Sequence, residues 1–389
     1  MKYSPVIVVA AFNRPRSLER LLFSLKNAKG ISNTRLIISI DNKEPENYII
    51  RDIANDFEWP FGEKEVIYHP KRLGLKAHIL RCGDLTKIYD SVILLEDDLF
   101  VSPYFFEYSL QALDYYASDD QIGGISLYNY PYVDMSQLPF TPINDDSEVY
   151  FMQFPSSLGQ IWTSKQWEQF RIWFDKGPDI QLVPIHKKII SWPETSWKKY
   201  FCAYLVSADK YFVYPRFSLT TNFNDPGTHE ILENDHRGQA QLRLFNTPYR
   251  FNKLADSYCI YDSHYELSPD TVKRFNSHLA DYSFEMDLYG LKDLNHIKKP
   301  YLITSKPASA KLWGYKRALK PHDINVLLNL RGDDLRFCKK ENITAESYRY
   351  ERYLSDYEYY YRNFLNGLDL KIYSRLKKYK LLKKWFYSK

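Results

Sequence analysis

The sequence predicts an α/β fold, a mostly parallel sheet flanked by helices, followed by an α-rich C-terminal extension. Three observations predict it. Short apolar runs recur at 6–11, 36–40, 66–68 and 92–95. Segments with helical spacing separate several of them, and the links are short. Strands joined in that way pair in parallel through right-handed crossovers.

Taken in order, Val6–Ala11 is a continuous apolar run, as expected of a strand buried on both faces. After Asn13-Arg14-Pro15, the spacing of Leu18, Leu21, Leu22 and Leu25 predicts a helix. Pro15 suits its first turn, and Asn13 or Ser17 is the expected cap. Leu36–Ile40 reads as a second strand ending at Asp41, and Val66–Tyr68 as a third. Leu75, Ile79, Leu85 and Ile88 mark a helix, and Val92–Leu95 is a strand ending at Glu96-Asp97-Asp98. Ser102-Pro103 opens a helix through Phe106, Leu110 and Leu113. From about 120 to 265 the pattern is turn-rich and aromatic, and beyond 270 it is polar and reads as helical. At 389 residues, two domains are expected, here 1–265 and 266–389.

Net charge is +5, but residues 371–389 carry eight basic side chains and no acidic ones, leaving −3 on the body. A nucleic-acid partner is therefore not expected. The four cysteines lie far apart, with no C-x-x-C spacing, and no apolar run approaches a membrane span. A reducing cytoplasm is the expected location. The glycine-rich dinucleotide and P-loop fingerprints, H-E-x-x-H and G-x-S-x-G are all missing.

In open α/β sheets ligands sit at the carboxyl ends of the strands. That rule gathers Asn13-Arg14, Asp41 and Glu96-Asp97-Asp98 on one edge. Three successive carboxylates repel one another unless a cation or hydrogen bonds compensate. A hard cation would take such oxygens and complete its shell with substrate phosphates. Lys71-Arg72-Leu73-Gly74 precedes a helix, where its cations could meet phosphate.

Val92 through Leu99 (VILLEDDL), with Pro103 and Phe105-Phe106-Glu107-Tyr108 after it, resembles the metal-binding segment of GT-A-fold glycosyltransferases. The subgroup it is similar to is the N-acetylglucosaminyltransferase I type with its bacterial relatives in glycosyltransferase family 2. Pro5–Ala11 with Asn13-Arg14, Ser39-Ile40-Asp41, Phe154-Pro155 to Gly159, and Pro215 to His229 resemble further segments in the same order, over residues 4–230. The resemblance implies a GT-A, Rossmann-like sheet and transfer of a sugar from a nucleoside diphosphate donor, a UDP-sugar being favoured. It implies a saccharide or lipid-linked acceptor and Mn²⁺ or Mg²⁺. Asp98 and His229 would hold the metal, while Arg14, Asp41, Arg72, Glu96 and Asp97 would face the donor.

One departure bears on catalysis. The resembled enzymes carry a Trp-Asp pair whose carboxylate is the general base, whereas here Lys198 follows Trp197. Glu194 is the nearest carboxylate, so Glu194 and Lys198 are the candidate catalytic residues. Of the tryptophans between 162 and 197, one or two are expected to face the acceptor and the rest to pack in the core. The basic, aromatic tail 371–389 is expected to bind an anionic membrane surface, placing the protein at the inner face of the cell membrane in surface polysaccharide synthesis. Two other readings stand beside this one. They are a nucleotidyltransferase of similar fold, and a glycan- or nucleotide-binding protein with impaired catalysis.

Overall fold

The apolar run after Pro5 forms β1 (Val6–Ala11), buried at all six positions. Pro15 then opens α1 (Pro15–Lys26), whose N-cap is Arg14, with no side-chain cap from Asn13 or Ser17. In the computed structural model, residues 3–43, 48–223, 225, 238–246, 248–344, 355–356, 358–361 and 375 are described. His229 lies outside them, as does the tail 371–389 except Arg375. The chain divides into two units, one of 1–131 with 144–267 and one of 132–143 with 268–389.

In the first unit, β2 (Leu36–Ile40), α2 (Tyr48–Asp56), β3 (Lys64–Tyr68), α3 (Leu75–Asp84) and β4 (Ser91–Glu96) follow. Next come β5 (Leu99–Val101), α4 (Phe105–Tyr116), β6 (Ile122–Ser126), β7 (Val149–Met152), β8 (Gln160–Thr163) and α5 (Ser164–Asp175). The unit closes with α6 (Lys187–Ile190), α7 (Trp197–Ser207), β9 (Tyr211–Pro215), β10 (Thr220–Asn222) and β11 (Ile260–Tyr261).

Nine strands form one sheet in the order β11-β7-β9-β6-β8-β4-β1-β2-β3, and β5 and β10 form a separate ribbon. The run β4-β1-β2-β3 is parallel, with Ala10 opposite both Ser39 and Glu96. β8 enters antiparallel to both β4 and β6, while β6 and β9 are again parallel. This is the mostly parallel α/β sheet that the first hundred residues predict.

Each face of the sheet has its own core. Ile7, Val9, Ile38, Ile93 and Leu95 meet the α1 leucines together with Phe105 and Leu113 of α4. On the opposite face Trp162 packs against Trp167 at 4.6 Å and against Trp197 at 5.9 Å between ring centroids. These three tryptophans are fully buried, so they are core residues. A Cβ on Gly83 would lie 2.2 Å from the Trp167 ring. Only glycine lets α3 approach that closely.

In the second unit the structure differs from the sequence expectation. After α8 (Pro269–Phe275), the strands β12 (Phe284–Asp287), β13 (Tyr301–Thr304), β14 (Trp313–Tyr315) and β15 (Leu335–Lys339) pair in the order β12-β13-β15-β14, with α9 (Asp323–Leu327) between the last two. The described residues 268–344 are thus built on a small sheet rather than on helices. Strands of three to five residues, with charged side chains in β12 and β15 and a glycine within β14, leave too short an alternation to outweigh a polar composition. Among the described residues no helix is long and apolar enough to cross a membrane. All four cysteines are buried and unpaired with one another.

Candidate functional site

Because β1, β2 and β4 run in parallel, the turns after them open on one edge of the sheet. The Asp97 amide donates to Ala10 O at 3.1 Å. Its carboxylate is buried and takes the Phe12 amide at 3.0 Å on Oδ2, and Arg14 Nε at 3.0 Å and Nη2 at 2.5 Å on Oδ1. The same guanidinium reaches Asp98 Oδ2 through Nη1 at 2.8 Å. Arg14 therefore clamps the turn after β1 to the turn after β4. Burial opposes its charge, but Asp98 and Asp97 more than offset that, and its pKa is raised. Burial raises the Asp97 pKa against the pull of Arg14. Glu96 is driven well above the ordinary carboxylate range, first by burial and then by Asp98, with Arg14 and Lys198 opposing.

Among the described residues, one oxygen of the pair has no hydrogen-bond partner: Asp98 Oδ1 is buried and unsatisfied, and so is Asn222 Oδ1 on β10. Asn222 stands opposite Leu99, the residue after Asp98. Buried acceptors left open in this way fit a hard cation that completes its shell with phosphate oxygens and water. No group of three or more His, Cys, Asp or Glu side chains that could hold a metal occurs among the described residues. Beyond the ribbon, Ser17 donates to Asp225 Oδ2 at 2.6 Å, while Arg20 pairs with Asp225 and lies over the Phe223 ring at 4.1 Å.

Asp41, at the end of β2, is buried. Its Oδ1 accepts the amides of Asn42 at 2.9 Å and Leu73 at 2.7 Å, and its Oδ2 accepts Gly74 at 2.9 Å. Gly74 has φ +76°, a left-handed conformation suited to glycine. The carboxylate thus holds the loop before α3, and in that loop Arg72 stacks over Phe12 at 4.1 Å. Arg72, Asp41 and the Arg14–Asp97–Asp98 cluster all bear on the turn after β1.

Below this edge Ser39 Oγ lies 3.0 Å from His69 Nε2 and 2.8 Å from His78 Nε2. Burial lowers the His78 pKa to about 4, so its ring is neutral at pH 7. Gln160, on the same side of the sheet as Glu96, is fully buried, and neither polar atom of its side chain has a hydrogen-bond partner among the described residues. Sequence reasoning named Ser39 only within the segment ending at Asp41 and singled out none of the other three. The one available signal was the polar Ser39 inside an otherwise apolar strand.

Lys198, in the first turn of α7, stands over the rings of Phe154 at 4.6 Å, Tyr130 at 5.3 Å and Trp192 at 5.5 Å. It donates to the Tyr130 hydroxyl at 2.9 Å. Its field reaches Glu96, which ties this aromatic wall to the carboxylates. Glu194 lies elsewhere. Its side chain is 77% exposed and accepts from Lys199 Nζ at 2.5 Å and from the Tyr200 hydroxyl. Those bonds, led by Lys199, lower its pKa. Nothing links Glu194 to the cluster among the described residues. The neighbouring buried Lys199 captures its carboxylate instead.

No protein-family model matches the chain, and no curated protein does. Among solved structures, mouse xyloside xylosyltransferase 1 in its apo form is similar at 11% identity, over 54% of this chain and 83% of that chain, with a TM-score of 0.34. A cytidylyltransferase from Leptospira borgpetersenii aligns at 13% identity over 46% and 66%, TM-score 0.28. Mannosyltransferase PcManGT from Pyrobaculum calidifontis, in complex with GDP-Man and Mn²⁺, aligns at 13% over 44% and 47%, TM-score 0.31. At such scores the functional reading rests on the site itself.

Proposed function

We propose that the chain is a glycosyltransferase. It would move a sugar from a nucleoside diphosphate sugar, a UDP-sugar being favoured, to a saccharide or lipid-linked acceptor in surface polysaccharide synthesis. The observation that carries this reading is the Arg14–Asp97–Asp98 cluster at the carboxyl edge of parallel strands, with open oxygens on Asp98 and Asn222 beside it. When the glycosidic bond breaks, negative charge builds on the leaving diphosphate. Asp98 and Asn222 would hold Mn²⁺ or Mg²⁺, and His229 is proposed as a further ligand. That cation supplies Lewis-acid stabilisation of the diphosphate.

The remaining roles fall to the protein's own groups. Arg14 and Arg72 present guanidinium groups to phosphate, for which their planar donor forks are suited. Asp41 holds the loop that carries Arg72, in reach of the nucleoside. Phe154, Tyr130 and Trp192 would form a wall for the acceptor ring around Lys198, whose field reaches Glu96. The tail 371–389 would seat the protein on the anionic inner face of the membrane.

Lysine at 198, where the resembled enzymes carry their base, favours one second reading, a protein that binds the donor without transferring it. A panel of UDP-, GDP- and CDP-sugars with Mn²⁺, scored for binding, hydrolysis and transfer, separates the two. Turnover of any donor supports the transferase, binding without turnover supports the second reading, and no binding removes both.

A further inference from the structure

Three of the four carboxylate oxygens of Asp97 and Asp98 accept hydrogen bonds, and Arg14 supplies the donors for two of those three. The guanidinium is itself mostly buried, its side chain 21% exposed. A divalent cation arriving alone would meet one open oxygen on Asp98 and the amide oxygen of Asn222. It would meet them beside a positive charge that already pairs with both carboxylates. Arg20 adds a second cation within the field of Asp98. Like charges at such range repel, and two neutral or half-used oxygens do not repay the dehydration of a hard cation.

A diphosphate changes this balance. It brings oxygens that ligate the cation and, equally, oxygens that pair with a guanidinium fork. We propose that Arg14 is the resident counter-cation of the site and that it moves from Asp98 to the diphosphate when donor binds. Asp98 Oδ2 is thereby released, so that the divalent cation enters only together with the nucleotide. Asp97 keeps its Phe12 amide bond throughout, which holds the two turns in place. This inference rests on the glycosyltransferase reading for the identity of the anion, but not for the blocking role of Arg14.

The test is titration of the full chain with Mn²⁺, following free Mn²⁺ by electron paramagnetic resonance, with and without UDP. Wild type should bind Mn²⁺ at least about tenfold more tightly with UDP present, and Mn²⁺ should tighten UDP by the same factor, as linkage requires. Arg14→Gln, which leaves two facing carboxylates without their counter-cation, should bind Mn²⁺ alone at least about tenfold more tightly than wild type. Arg14→Lys, which keeps the charge, should resemble wild type. Equal Mn²⁺ affinity of wild type with and without UDP overturns the proposal, as does an Arg14→Gln chain no better at binding Mn²⁺ than wild type. If Arg14→Gln does not fold, the wild-type comparison decides. If no nucleoside diphosphate binds any form, the glycosyltransferase reading falls, while Mn²⁺ binding by the two variants alone still decides the role of Arg14.

Discussion

Removing the Asp41 carboxylate tests whether the loop before α3 is held as described. Asp41 accepts three backbone amides at 2.7–2.9 Å, from Asn42, Leu73 and Gly74. Hydrogen bonds to a charged group contribute roughly 1.5–3 kcal/mol each, and water can reach the Asn42 amide once the carboxylate is gone, so Asp41→Ala should cost about 3–5 kcal/mol. For a domain of 150–250 residues that corresponds to a melting point lower by about 6–20 °C. Asp41→Asn keeps one acceptor oxygen but sets its NH₂ against a backbone N–H, so it should fall between wild type and alanine. The loop also carries Arg72 over Phe12, so nucleotide affinity should fall by about tenfold in both variants, roughly one charge-assisted contact. Differential scanning fluorimetry and isothermal titration with UDP read the two effects. An alanine variant that melts with wild type, or binds UDP as wild type does, refutes the clamp.

Other expectations follow from the same geometry. Asp98→Ala should abolish divalent-dependent donor binding with the fold intact, checked by UDP titration with and without Mn²⁺. Glu194→Gln should leave turnover at the wild-type level, because that carboxylate faces Lys199 and Tyr200, while Lys198→Met should lower turnover by at least about tenfold with donor affinity unchanged; steady-state kinetics on a donor found by the panel decide both. His78, in contact with Ser39 and His69 and within the field of Asp41 and Arg81, has a folded pKa of about 4, below its unfolded value. The unfolded chain binds that proton first, so stability is fully present above about pH 6.5 and falls by roughly 3 kcal/mol on acidification to pH 4. His78→Gln should flatten that part of the urea stability–pH profile. Deleting 371–389 should release the protein from anionic vesicles, with added salt acting in the same direction in a flotation assay.

The parallel half of the first unit was legible because each element there signals itself locally. Val6–Ala11 is an unbroken apolar strand, Val92–Leu95 is the apolar run within Ser91–Glu96, and α1 spaces its leucines at helical intervals. The rule that ligands gather at carboxyl ends then sufficed to place Arg14, Asp41 and the three carboxylates on one edge. The antiparallel half was not legible. β6, β8 and β9 are four or five residues long and pair across connections of tens of residues, so no local pattern announces them. The candidate site divides the same way. Arg14 and Asp97 lie at the ends of adjacent strands, so strand order alone brings them together. Whether Glu194 or Lys198 faces inward depends on where a short helix begins and on a buried lysine five residues further on, which sequence distance does not encode. Lys198 meets Tyr130 and Phe154 only through the folding of widely separated segments.

Gln160 shows what such a site demands of the fold around it. Its amide is enclosed on β8 without a single hydrogen bond among the described residues, a situation that costs about 1–3 kcal/mol relative to an apolar side chain of similar size. Gln160→Leu is accordingly expected to make the protein more resistant to heat. An unsatisfied buried amide of this kind is the pattern expected where selection favours activity over ruggedness. An engineer seeking a hardier version of this protein should therefore assay donor binding before accepting that change.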